Sequence, residues 1–427
     1  MIQMGIDRLP TYLGTPRSPY PLAIFRIAFG LLMFCSQIRF LAKGWVADLY
    51  IDPPFHFPYR GFEWVQVLPA SWMYALVICC ALCALLIALG LIYRLATISF
   101  FLSFTYLELI DKTWYLNHYY FISLVGFLMI FIPAHRAWSL DNLIRGRKVP
   151  LAVPQWSLWI LQFQLGIVYV FAGIAKLKYD WLIKGEPMKT WLSARTDFPL
   201  IGTYFDSDWM AYLFSWGGTL YDLFIVFFLL NRRTRPWAYV AVWGFHVMTW
   251  LLFPIGMFPW IMIAATLVFF DENDWQKIFP RIGDHFETKP QPASILRLAI
   301  ISLAIYMLIQ VSLPLRHFIL PGDVLWNEKG LRFAWHVMVM EKNGMVTYYM
   351  HDPESGKKWT ETPNRYLIPA QTRQMAFQPD MIQQFGEFLE KEWEKKGYPD
   401  IQVEIENRVC VNKECKTMRW NLADSFP

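Results

Sequence analysis

The sequence predicts an all-α polytopic membrane bundle of about nine transmembrane helices, followed by a small α+β domain outside the membrane. Three observations predict it. Of 427 residues, 56% are apolar and 17% charged, against roughly 45–50% and about 25% in an ordinary soluble domain. The chain carries 21 Trp and 21 Tyr, the residues that collect at water–lipid boundaries. Apolar runs of membrane-crossing length recur up to residue 313, beyond which the composition turns polar and strand-like. The same arithmetic excludes a disordered chain and a disulfide-rich secreted scaffold. A net charge of +5 is too small to argue for a nucleic acid or another anionic polymer as partner.

The apolar runs fall at 20–41, 70–92, 95–110, 118–133, 154–175, 208–230, 236–253, 255–270 and 294–313. The pairs around Asp111 and Pro254 are short enough to be re-entrant rather than spanning. Residues 1–19 are polar and Pro-containing, so no cleavable signal peptide is expected. Nine crossings place Arg8, Arg17, Arg94, Arg136, Arg145, Arg147, Lys148, Arg232, Arg233, Arg235, Lys277, Arg281 and Lys289 on the N-terminal side. The short opposite loops hold only Lys43, Arg60 and Lys112, although the longer loop 176–207 breaks the pattern. The bias makes the N-terminus cytoplasmic. Residues 1–313 then form the transmembrane domain, and 314–427 a domain in a periplasmic or lumenal space. The absence of any Asn-x-Ser/Thr acceptor favours a bacterial inner membrane over an endoplasmic-reticulum membrane.

In the exterior part, Leu331–Met340 and 344–351 alternate around Glu341-Lys342-Asn343, which reads as a hairpin. Helical periodicity follows over 379–396, with Met381, Ile382, Phe385, Phe388, Leu389 and Trp393 on one side. Two further strands flank the loop 411–414, and Cys410 and Cys415 are placed to face each other there as a disulfide.

Polar groups inside apolar runs are costly and therefore informative. Arg26 and Asp222 are expected to pair as a structural ion pair in the inner part of the bilayer. Lys176 closes the fifth run, and no charge precedes it from Val153 onward. An ammonium in so apolar a mouth is pushed toward its neutral amine, which can act as a base; the plainer alternative is a lysine reaching out to interfacial water. Tyr169 shares its helical face, and Gly173, one turn away, lets a flat ligand or another helix approach. His246 lies mid-run before the Pro/Gly-broken stretch that contains Phe258, and Asn117 and His118 open the fourth run on the side of Lys176. No metal-ligand spacing and no Gly-rich phosphate loop occurs, so neither metal nor nucleotide is expected.

These residues resemble the vitamin K-dependent γ-glutamyl carboxylases and their bacterial relatives with the horizontally transferred transmembrane domain. The resemblance is carried by Leu22-Ala23-Ile24-Phe25-Arg26, Leu91-Ile92-Tyr93-Arg94, Asp111-Lys112-Thr113-Trp114 with Asn117-His118, and Trp138-Ser139-Leu140-Asp141. It continues through Ala172-Gly173-Ile174-Ala175-Lys176-Leu177, Asp180-Trp181, Asp222, Phe245-His246 and Ile255-Gly256-Met257-Phe258. It implies a catalytic base at Lys176 that deprotonates reduced vitamin K (the hydroquinone). It further implies that O₂ then converts the quinol to its epoxide, and that the base so generated takes a γ-proton from peptide glutamate, which captures CO₂. Tyr169, Gly173, His246, Phe258, Asn117 and His118 are the quinone-binding residues this reading favours. The animal pattern Asn-His-Tyr-Trp-Ser-Val-Asp becomes His135-Arg136-Ala137-Trp138-Ser139-Leu140-Asp141 here, so no histidine role passes to His135. Animal members also run well past the point reached by Pro427, into the part associated with gripping a propeptide. The resemblance therefore carries quinol oxidation further than processive carboxylation.

Three functions follow as expectations: a membrane vitamin K-dependent carboxylase, a quinol epoxidase with a different acceptor or none, and a lipid-binding or transport protein. Membrane lipid, a vitamin K-type quinol and a Glu-containing peptide are the partners they imply.

Overall fold

The computed structural model describes residues 10–280, 286–288 and 293–424; Arg8, Arg281, Lys289 and Pro427 lie outside the described residues. A helix falls on each predicted apolar run: α1 Tyr20–Ala42, α2 Ala70–Leu89, α3 Tyr93–Ile110, α4 Asn117–Phe131, α5 Gln155–Ala175, α6 Asp208–Leu230, α7 Arg235–Leu252, α8 Phe258–Ala265 and α9 Ala293–Leu315. Among the described residues, five helices are long and apolar enough to cross a membrane: α1, α2, α5, α6 and the stretch Leu296–Phe318 built on α9. Helix α4 and the stretch Phe258–Phe269 are apolar but shorter. The nine-crossing topology rests on the sequence alone.

Arg26 and Asp222 do not pair, which corrects the expected ion pair. Arg26 is fully buried and uses its guanidinium on carbonyls. Nε donates to Ala134 O (3.1 Å), Nη1 to Ile87 O (2.7 Å) and Ala88 O (2.6 Å), and Nη2 to Trp138 O (2.5 Å). Ile87 and Ala88 belong to the last turn of α2, where carbonyls lack helical partners and the helix dipole is negative. A cation is satisfied there without any carboxylate. Gly90 ends α2 at φ +63°, and a Cβ on it would lie 2.6 Å from Arg26 Nη1, so both the turn and the docked guanidinium require glycine.

Helices α5 and α6 run antiparallel with an offset. Gly173 lets them touch: a Cβ there would lie 2.9 Å from Leu223 N. Asp222, the neighbour of Leu223, comes fourteen residues after the start of α6, about 21 Å along its axis. Helix α5 therefore stops far short of the exterior end of α6, and the loop 176–207 folds back along that exposed length. Trp181 Nε1 donates to Ser215 O (2.9 Å) and Thr219 Oγ1 (3.0 Å). Met188, Leu192, Phe205, Met210 and Leu252 complete its buried cluster. Two of the cations that broke the Lys/Arg pattern are paired: Lys184 with Asp180 and Glu414, and Lys189 with Asp208.

Beyond α9 stands a four-stranded antiparallel sheet, formed by β1 Lys342–His351, β2 Lys358–Glu361, β3 Gln402–Val411 and β4 Glu414–Asn421 in the order β2-β1-β3-β4. Helix α10 Pro369–Met375 and the amphipathic α11 Pro379–Lys395 cover one face. Met381, Ile382, Phe385, Leu389 and Trp393 are buried there against Tyr348, Val403 and Ile405, as their spacing predicts. Cys410 and Cys415 oppose each other across β3 and β4 and are joined by a disulfide. The turn residues Asn412 and Lys413 both have positive φ, the geometry of a tight hairpin. The hairpin expected at 341–343 is absent: β1 pairs with β2 and β3 instead. Leu331–Met340 is irregular, with positive φ at Phe333, Trp335 and Met338. Its aromatic residues pack down onto α4 rather than along a partner strand; Trp335 stacks on Tyr120 with ring centroids 5.0 Å apart.

The two parts are joined by polar contacts in which Asp111, Lys112 and Gln371 are buried and Asp380 is half exposed. Gln371 Nε2 donates to Asp111 Oδ2 (2.9 Å) and Phe55 O (2.7 Å). Lys112 Nζ and Arg332 Nη1 both reach Asp380 Oδ2, at 2.7 and 2.8 Å. Burial pushes the Asp380 carboxyl up, but Arg332 and Lys112 outweigh it and hold the group down at about 2. Its folded value thus lies below the unfolded value of about 3.9. The stabilisation is complete above pH ~4 and is lost as pH falls toward ~2. Asp380→Asn is expected to remove this acid step and, at neutral pH, to loosen the exterior domain by leaving two cations without their carboxylate. Limited proteolysis followed across pH checks it; an unchanged acid transition in the variant would refute it.

Candidate active site

Lys176 is the residue immediately after α5, its N–H still bonded to Gly173 O. Its ammonium is satisfied on several sides: Nζ donates to Asp222 Oδ2 at 2.7 Å and to Ala172 O at 3.4 Å, and lies 5.6 Å from the Trp181 ring centroid. Both partners of the ion pair have side chains only 7% exposed. The isolated amine expected from sequence is instead half of a buried ion pair, and the partner assigned to Arg26 belongs to Lys176. Nor does the lysine reach out to surface water, because the segment 176–207 and the exterior domain enclose it.

Beside the pair lies a second polar contact. Tyr169, on α5, and His246, on α7, are both buried, and their Oη and Nε2 are 2.9 Å apart. His246 Nδ1 is also buried and has no hydrogen-bond partner among the described residues. Lys176, Asp222, Tyr169 and His246 line one cavity of about 70 Å³ whose walls include Trp181, Phe245, Phe258, Met188, Met262 and, from the exterior domain, Val337 and Met338. The walls are apolar apart from these four side chains and Thr249. Trp260, close by in sequence to Phe258, stands outside this lining and packs against Trp243 and Trp250.

Asn117 and His118 belong to an adjoining cavity of about 350 Å³, with Arg39, Trp45 and the stretch Pro254–Gly256. The two cavities share Ile255, Phe258, Val337 and Met338. Phe258 sits between them, its ring 5.8 Å from His246 on one side and 5.7 Å from His118 on the other. Asn117 is partly engaged in structure: Nδ2 donates to His336 O and Oδ1 accepts from Tyr115 Oη, each at 3.1 Å. Gly173 serves the approach of α6 rather than that of a flat ligand. Sequence reasoning missed Asp222 as the partner of Lys176, the contribution of Val337 and Met338, and Arg39. Only the first had a signal, a carboxylate deep in an apolar run.

A helical bundle with helices of membrane-crossing length, a buried ion pair in an apolar cavity and an α+β domain over that cavity is the architecture of a polytopic membrane protein with its candidate site inside the bundle. The family model described as the HTTM domain matches residues 15–275, and that described as the vitamin K-dependent gamma-carboxylase, lumenal domain, matches residues 296–421. The chain therefore belongs to the vitamin K-dependent carboxylase family, as an integral membrane protein with a lumenal-type C-terminal domain. No solved structure matches it significantly.

Proposed function

We propose that the chain oxidises a vitamin K-type hydroquinone with O₂ and couples this to carboxylation of peptide glutamate, with the Lys176–Asp222 pair as the proton-handling centre. The observation that carries the reading is the buried pair itself: a lysine and an aspartate 2.7 Å apart in an apolar cavity beside a Tyr–His contact. In low dielectric the charged and neutral forms of such a pair come close in energy, because both charges lose their hydration. The Nζ proton can therefore pass along its hydrogen bond to Asp222 Oδ2, which leaves a free amine. Lys176 Nζ then takes up the proton of a quinol hydroxyl. His246 Nδ1, buried and unpartnered, offers a hydrogen bond to a second oxygen of the same ring, and Tyr169 fixes the imidazole that presents it.

The donor set suits a quinol: apolar walls, a proton acceptor and a second polar contact. The volume of about 70 Å³ is below the roughly 300 Å³ of ordinary ligand pockets, so the ring requires the walls to yield. Met188, Met262 and Met338 line it, and methionine is the side chain that adapts most readily. When bound, the hydroquinone would supply all four electrons that reduce O₂, two in passing to the quinone level and two in becoming the epoxide, with the second oxygen leaving as water; that oxidation would provide the base strength that removes the glutamate γ-proton before CO₂ adds.

The test supplies purified protein with vitamin K hydroquinone, O₂, labelled CO₂ and a Glu-containing peptide. Epoxide together with labelled peptide is the expected result. Epoxide without label would move the assignment to quinol oxidation with another acceptor or none. No epoxide would overturn the proposal.

A further inference from the structure

The larger of the two adjoining cavities holds a cation that the fold does not use. Arg39 stands in the last turn of α1, its guanidinium 5.1 Å from the centroid of Trp45. Its Nε is buried without a hydrogen-bond partner, and no ion pair forms at it among the described residues. Arg26 and Arg235, two buried arginines, have their donors taken up by carbonyls or carboxylates. A stacked guanidinium with vacant donors presents the planar fork that matches a carboxylate in bidentate fashion. The cavity it borders, about 350 Å³, is ample for one acidic side chain. The wall that separates it from Lys176 is a single layer of side chains: Ile255, Phe258, Val337 and Met338.

We propose that the Arg39 cavity is the carboxylate-binding site for the acceptor, seating a glutamyl side chain with its acid group on the guanidinium. Its γ-carbon then faces the Phe258–Met338 wall and the chemistry beyond it. This rests on the carboxylase reading above. Arg39 binds and orients the acceptor and takes no part in quinol deprotonation, so its loss separates two readouts that loss of Lys176 does not.

The experiment compares wild type, Arg39→Gln and Arg39→Lys as full chains in nanodiscs of zwitterionic lipid and, in parallel, of anionic lipid. Epoxide formation, label incorporated from CO₂ and direct binding of a short Glu peptide are measured, with the matching Gln peptide as control. Arg39→Gln is expected to raise the peptide KM and the dissociation constant by about tenfold or more, the lower end for a charge pair that loses one partner. Epoxide formation should persist, and the Lys variant should fall between. An unchanged peptide KM and dissociation constant in Arg39→Gln would overturn the proposal. So would a defect that appears only in anionic-lipid nanodiscs, which would make Arg39 a headgroup anchor. If wild type forms no epoxide yet binds the Glu peptide through Arg39, the carboxylase reading fails and the carboxylate site stands.

Discussion

Lys176→Ala is expected to lower epoxide formation by about 10²–10⁴-fold, the usual contribution of a positioned general base. The loss should be shared by Asp222→Asn, which keeps a hydrogen-bonding group at the same place but removes the carboxylate that receives the Nζ proton. Each single substitution also strands a buried partner, at a cost of about 3–5 kcal/mol, so inactivity alone would not separate chemistry from folding. The double variant Lys176→Met/Asp222→Leu makes that separation. Replacing both ions with apolar side chains should restore thermal stability toward wild type, yet leave epoxide formation as low as in Lys176→Ala. Activity recovered in the double variant would remove the pair from the mechanism.

Gly173→Val is expected to have the next largest effect, although residue 173 is not proposed to touch a substrate. A Cβ there meets Leu223 Cγ at 2.8 Å and the backbone N at 2.9 Å, and backbone cannot move aside as a side chain can. Helices α5 and α6 must separate next to the Lys176–Asp222 pair. Overpacking of this kind costs about 1–3 kcal/mol. The accompanying loss of activity should be far larger than that stability change alone explains, because a buried hydrogen bond of 2.7 Å does not survive much displacement. Gly166→Ala is the control two turns earlier on the same face: its Cβ would meet only Val226 Cγ1, at an ordinary 3.5 Å. Epoxide rates and thermal melts of the two variants check this, and equal behaviour of both would refute the close-approach argument.

The helices were legible because lipid imposes an apolar composition that no other environment requires over such lengths. The amphipathic α11 was legible because its buried residues recur at the helical period, and the Cys410–Cys415 hairpin because a short loop brings two strands into register. The Arg26–Asp222 pairing failed because depth was counted from the helix ends as though every helix began at the membrane surface. The offset of α5 against α6 breaks that assumption. It also hid the true neighbour of Lys176, which lies forty-six residues away in sequence. The segment 331–340 misled for a different reason. Alternating apolar side chains mark an extended chain with one face buried, but they do not say whether the burial is against a neighbouring strand or, as here, against the top of a helical bundle. Arg39 gave no signal, since only the absence of a partner distinguishes it from any lysine or arginine at a helix end.

The strained stretch that carries Phe333, Trp335 and Met338 has a consequence for how the two halves depend on each other. Val337 and Met338 belong by sequence to the exterior domain, yet they form part of the ceiling of both cavities. A base strong enough to take a glutamate γ-proton would be quenched by the first water molecule it met. The proposed chemistry therefore needs dryness as much as it needs Lys176, and the bundle alone does not supply it. Drawing the boundary at residue 313 divides the chain by composition, but it also cuts the stopper from the flask.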